Sequence, residues 1–185
     1  MTGTDHRSLA DLRAEFLKDS TNAMPIAGMI VWAALGVAAL LLPERTAGTL
    51  SLYIMVAIMP LAWGIERTRG RNLFAGGDSP LVKLFLSSIA MVGAIVPLVV
   101  IAANAASAPL LVLLGMAVLA GLVWIPYGWA GDDPVGMQHA IGRTAGCYLA
   151  YAYAPEPFKG AAICLVAVLA YGFTLLMAKR MGAPA

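Results

Sequence analysis

His139 and Arg143 lie one helical turn apart inside residues 136–154, a stretch whose other side chains are mostly apolar or small. Such a stretch is long enough to cross a bilayer. An arginine at membrane depth costs about 2.5–3.5 kcal/mol on insertion scales, so it stays there only with partners or beside a wet cavity. A spacing of four puts His139, Arg143, Cys147 and Tyr151 on one helical face, with Gln138 beside it. Gly142 and Gly146 form an adjacent groove of small residues that another helix can approach closely. Asp133 as N-cap and Pro134 as first helical residue open the segment. Arg143 then sits roughly 13–14 Å along the helix, near mid-membrane.

Three kinds of chemistry fit this polar line. Arg143 can be structural, bonding carbonyls freed by Pro60, Pro97 or Pro126, or stacking on a tryptophan. His139 and Arg143 can instead line a cytoplasm-facing cleft for a small polar or anionic solute, with Gln138, Asp133, Trp129, Tyr127 and Tyr151 around it. Acid–base catalysis by His139 with Asp132 or Asp133 is the third, but no companion nucleophile, metal-ligand spacing or phosphate-binding loop accompanies it. The expectation is a non-enzyme with no cofactor and no metal.

Composition points the same way. Of the 185 residues, 61% are hydrophobic and 12% charged, about half the charge density of an ordinary soluble domain. A net charge of +2 is too small to suggest a nucleic-acid partner. The expected partners are membrane lipid and a small polar solute, and the oligomeric state stays open. Cys147 and Cys164 fall inside apolar runs and read as packed thiols.

Six apolar stretches, near 24–42, 48–65, 82–103, 109–130, 136–154 and 158–178, carry about the 20 residues a membrane helix needs. They predict an all-α integral membrane fold: six transmembrane helices in three consecutive hairpins, forming one domain over 23–180. Residues 1–22 hold a short amphipathic helix, with Ser8 and Asp11 as its capping pair and Leu9, Leu12, Phe16 and Leu17 on one face. It is expected at the inner interface or against the protein's own cytoplasmic face, and residues 181–185 form a short cytoplasmic tail. Arg7, Arg13, Lys18, Arg67, Arg69, Arg71, Lys83, Lys179 and Arg180 fall on one side of this topology, and Arg45 and Lys159 on the other. Basic residues mark the cytoplasmic side, so both termini are expected there, in a cell inner membrane.

An internal repeat accompanies the spans. Pro60, Trp63 and Gly64 match Pro126, Trp129 and Ala130 at an offset of 66, which also carries Pro43 onto Pro109. A weaker copy at an offset of 112 places Pro43 and Glu44 on Pro155 and Glu156, and Pro60 on Gly172. Each proline bends its helix one turn before a tryptophan suited to the interface. With the turn Leu41, Leu42, Pro43, Glu44 and the helix before the first span, this layout resembles small six-span bacterial inner-membrane proteins of unknown function. The resemblance implies a location and a topology but no catalytic residue and no substrate. Two functions remain open: a membrane protein that binds or transports a small polar or anionic solute through the cleft, and a structural or accessory membrane protein whose buried polar residues only set helix packing.

Overall fold

A computed structural model describes residues 7–72 and 77–178, apart from the Met55 side chain. Asp5, Gly76, Lys179, Arg180 and the tail at 181–185 lie outside the described residues. Regular structure among the described residues is entirely helical: α1 (Leu9–Asp19), α2 (Ala23–Leu41), α3 (Glu44–Thr68), α4 (Pro80–Ala105), α5 (Leu110–Leu122), α6 (Trp124–Gly131), α7 (Val135–Tyr153) and α8 (Lys159–Met177).

Local chemistry sets the breaks. The Ser8 hydroxyl accepts the Asp11 N–H at 3.2 Å, and the Asp11 carboxylate receives the Ser8 N–H at 3.1 Å, a reciprocal cap that starts α1. The same hydroxyl and N–H hold the Asp11 carboxyl below its ordinary range. The cap is therefore intact above the usual aspartate range and is lost as acid protonates that group. Phe16 buries the apolar face of α1 against Leu81 of α4 and Ala130 of α6. Helix α3 bends by 49° between Ile54 and Val56; Pro60 has no N–H for the Val56 carbonyl and crowds it. Likewise α5 stops at Leu122, whose carbonyl would have received an N–H from Pro126. Asp132 then reverses the chain in a left-handed conformation (φ 52°), letting the Asp133 N–H bond the Gly128 carbonyl at 2.9 Å.

Helix α5, apolar on every side, occupies the centre and touches α3, α4, α7 and α8. Helix α2 packs on α3 and α8, and α7 lies between α8 and the α5–α6 pair. The neighbours α2 and α3, α4 and α5, and α7 and α8 each contact one another. Gly48 meets Pro109, and Gly160 meets Ala39 and Leu110, so these turns gather at one end of the bundle. Helix α1, Gly77 and the α6–α7 turn gather at the other. Among the described residues, four segments are long and apolar enough to cross a membrane: α2, α4, the α5–α6 pair and α8; bent α3 makes a fifth. Helix α7, which carries Gln138, His139, Arg143 and Thr144, is not among them. The chain is thus an all-helical protein with the build of a membrane-embedded one.

Close packing in α7 does not fall where its glycine pair suggests. Gly142 is exposed with nothing within 4 Å, because the helical period sets it with outward-facing Ala145 and Leu149. Gly146 does meet Val166 of α8, and the tightest contact is Gly136 against α6. A Cβ at Gly136 would stand 2.3 Å from the Trp124 carbonyl oxygen and 2.6 Å from the Gly128 Cα. Both are main-chain atoms, so little can yield. Gly136→Ala is expected to lower the thermal unfolding midpoint in detergent sharply, at a cost of about 1–3 kcal/mol or more. Gly142→Ala should leave the midpoint unchanged or raise it, by up to about 1 kcal/mol.

Candidate functional site

Four helices build the surroundings of Arg143. Its side chain is wholly buried (0% exposed), with the guanidinium carbon 4.7 Å from the Trp32 ring centroid of α2 and 5.2 Å from that of Tyr171 on α8. The alkyl stem rests on Gly121 of α5, where a Cβ would come 3.1 Å from the Arg143 Cδ. Tyr171 fits because Gly28 leaves space: a Cβ there would lie 2.4 Å from the tyrosine Cζ. Aromatic rings engage the faces of a guanidinium, while its five N–H groups lie in the plane. Nε, Nη1 and Nη2 have no hydrogen-bond acceptor among the described residues, and neither does the indole N–H of Trp32.

One turn earlier, His139 is also buried. Its ring stacks on Trp124 at 4.7 Å and meets the Tyr171 ring nearly edge-on at 5.2 Å. Nδ1 lies 2.7 Å from the Thr174 hydroxyl oxygen. That hydroxyl already donates to the Ala170 carbonyl at 3.0 Å, so it accepts here and Nδ1 carries the proton. In the neutral ring Nε2 is then a buried lone pair, and it too has no partner among the described residues. Tyr171 touches both groups and is the hub of the site.

The apolar pockets lie elsewhere than beside α7. A cavity of about 110 Å³ opens at the α1 end among Phe16, Met24, Met59, Val82, Phe85 and Tyr127. A smaller one of about 60 Å³ continues inward past Ile58 and Ile89 to Trp124 and Tyr171. The cleft thus runs between α3, α4 and α6, and Trp124 and Tyr171 form the wall between it and His139 and Arg143. The break before α6 explains this placement, since it swings the Tyr127 face toward α1 and α4.

The other residues of the expected cleft separate. Tyr127 packs on Phe16, Phe85 and Trp124 at 5.4, 5.5 and 5.0 Å. Trp129 is 50% exposed, with the Arg13 guanidinium 5.3 Å from its ring. Its counterpart in the repeat, Trp63, carries Arg67 in the same way at 5.2 Å. Gln138 is exposed on the outer side of the first turns of α7. Asp133 accepts the Val135 N–H at 3.0 Å, a capping role. Tyr151 lies toward the opposite end, 5.9 Å from the Lys159 ammonium. Pro60 and Pro126 act on the helices that carry them, α3 and α6. Trp32, Trp124, Tyr171 and Thr174 complete the site and were not among the expected residues; the hydroxyls of Thr174 and Tyr171 in an otherwise apolar α8 are the signal that could have found the last two.

If Thr174 fixes the imidazole, Thr174→Val should destabilise by about 0.6 kcal/mol and by no more than about 1.7, the mean and the maximum for hydrogen bonds between membrane helices. Thr174→Ser should retain most of that, read as unfolding midpoints in detergent.

Comparison with known proteins adds the following. Residues 9–179, which take in all eight helices, match a family described as "Family of unknown function (DUF7010)". No curated protein matches the chain, and no solved structure does. Spanning nearly the whole sequence, that match makes the chain a member of the DUF7010 family.

Proposed function

We propose that this chain is a six-span membrane protein of the cell inner membrane, with both termini in the cytoplasm, that binds a small anion at Arg143, with the neutral ring of His139 beside the site. The observation that carries the reading is the buried guanidinium whose three nitrogens find no acceptor among the described residues. A cation removed from water leaves a desolvation penalty of several kcal/mol, which a counter-charge and in-plane hydrogen bonds would offset. A carboxylate or similar oxyanion supplies both, and the Trp32 indole N–H adds a further donor nearby. Access would come from the α1 end through the apolar cleft, past Tyr171 and Trp124.

The topology has its own support. Helix α7 lies between α8 and the α5–α6 pair, both apolar enough to cross, so a crossing by those elements takes α7 with them. Its 19 residues extend about 28 Å, close to a hydrocarbon core of about 30 Å. Arg7, Arg13, Lys18, Arg67, Arg69, Arg71 and Lys83 belong to the α1 end, against Arg45 and Lys159 at the other.

One observation favours a second reading, an accessory or structural membrane protein. The Trp32 and Tyr171 rings already engage the guanidinium, each desolvated contact being worth about 2 kcal/mol. Arg143→Met separates the two, because methionine keeps apolar volume and removes an unpaired buried charge. Under the binding reading the variant folds with an unchanged or higher midpoint in detergent and loses all protection by anions. For the native chain, one anion of a panel of chloride, acetate, phosphate and small dicarboxylates should protect by about 2.7 kcal/mol at a hundredfold excess over its Kd. A variant that unfolds several degrees earlier, with no anion protecting the native chain, would establish the packing role instead.

A further inference from the structure

Helices α3 and α4 each pack on α5 yet barely touch one another, which leaves a furrow between them with α5 as its floor. At the α1 end its walls are Ile58 of α3, Ile89 of α4 and Ala120 of α5. Toward the other end the same three helices enclose a wider space of about 440 Å³, with Leu52 of α3, Val100 of α4 and Val112 of α5 as its apolar lining. That end is polar at its rim: Arg45, Thr49, Asn104 and Ser107 converge there. Arg45 is exposed, and no carboxylate among the described residues pairs with it. Its neighbour Glu44 lies within electrostatic reach of Lys159 instead.

A cation with hydroxyl and amide groups at a helix end, opening directly onto an apolar furrow, matches one occupant. We infer that the furrow between α3 and α4 holds an acyl chain of an anionic phospholipid whose headgroup phosphate sits at Arg45, Asn104 and Ser107. The order of the chemistry is that of a lipid in a leaflet: charge at the interface, hydrocarbon along the helices. A free phosphate would use the rim alone and leave the furrow unfilled. The occupied part is the wider space at the Arg45 end, away from the α1-end cleft, and Arg143 stands on α7 beyond α5, so either assignment can fail without the other.

Native mass spectrometry of the full chain, purified in detergent and mixed with equal phosphatidylglycerol and phosphatidylcholine, tests this. The native protein should retain one phosphatidylglycerol in preference by about fivefold, the worth of one basic residue at an anionic surface. Arg45→Gln should abolish the preference while some lipid of either kind is still retained. Val100→Phe, which fills the apolar lining, should reduce retention of both lipids. Equal retention by the native protein, an unchanged preference in Arg45→Gln, or displacement of the lipid by inorganic phosphate alone at millimolar concentration would each overturn the assignment. Arg143→Met should leave all these ratios unaltered.

Discussion

A guanidinium with no counter-ion among the described residues, enclosed by four helices, is the constraint around which the rest of this bundle is arranged. Desolvation of a cation costs several kcal/mol even after relaxation. Two ring contacts at about 2 kcal/mol apiece come close to offsetting that, but only if both rings stay in place. Trp32 and Tyr171 belong to helices far apart in sequence, and two residues without a side chain make room for the assembly. Gly28 makes room for the tyrosine ring and Gly121 for the arginine stem. The backbone contact between Gly136 and α6 then sets the start of α7 so that Arg143 reaches the cage. In lipid, where helix association depends on close packing and not on expulsion of water, such positions decide which helices can meet.

Much of this was legible because charge in apolar sequence is rare. Arg143 and His139 stand out in a list of alanines, glycines and leucines, and a period of four puts them on one face; both are buried, as is Cys147. The helix breaks follow from prolines whose missing N–H groups can be counted. The partners were not legible. Trp32 and Tyr171 are ordinary residues for apolar helices, and nothing local says that α2 and α8 lie side by side. Gln138 and Gly142 show the limit of periodicity from the other direction. Each is only 100° around the helix from a buried neighbour, and that is enough to turn it outward. Trp129 and Tyr127 went astray for a different reason, since the break after α5 re-aims both toward α1, whose docking depends on Phe16.

The repeat has a structural counterpart that its weak sequence match understates. Pro43 and Pro109 each precede the first residue of a helix, α3 and α5, and those helices pack together where Gly48 meets Pro109. At the far end the two repeated tryptophans each carry an arginine over the ring, Arg67 on Trp63 and Arg13 on Trp129. An amphipathic ring beside a cation suits a membrane boundary. The arginines come from unrelated places, one from the same helix and one from α1. Conserved geometry from different donors argues that the requirement lies with the boundary and not with one ancestral contact pair.

The α1 end differs from the other in what it does with carboxylates. Glu66 is fully buried at the last turn of α3, 3.2 Å from Arg69 and 3.4 Å from Arg71. A lone buried carboxylate would be costly, but these arginines lie just past the helix and remain half in water, so their ion pairs hold it without burying two charges. Asp132 likewise pairs with Arg13 at 3.1 Å from an exposed turn. Glu15, Glu66, Asp78 and Asp132 near this end each have a basic partner, whereas Arg143 at the centre of the bundle has no carboxylate partner among the described residues. The most deeply buried cation thus lacks the counter-charge that several half-exposed ones have, the reverse of what stability alone favours. A negative group supplied from outside the chain would resolve that inversion, and the aromatic wall of Trp124 and Tyr171 stands where such a group would have to pass.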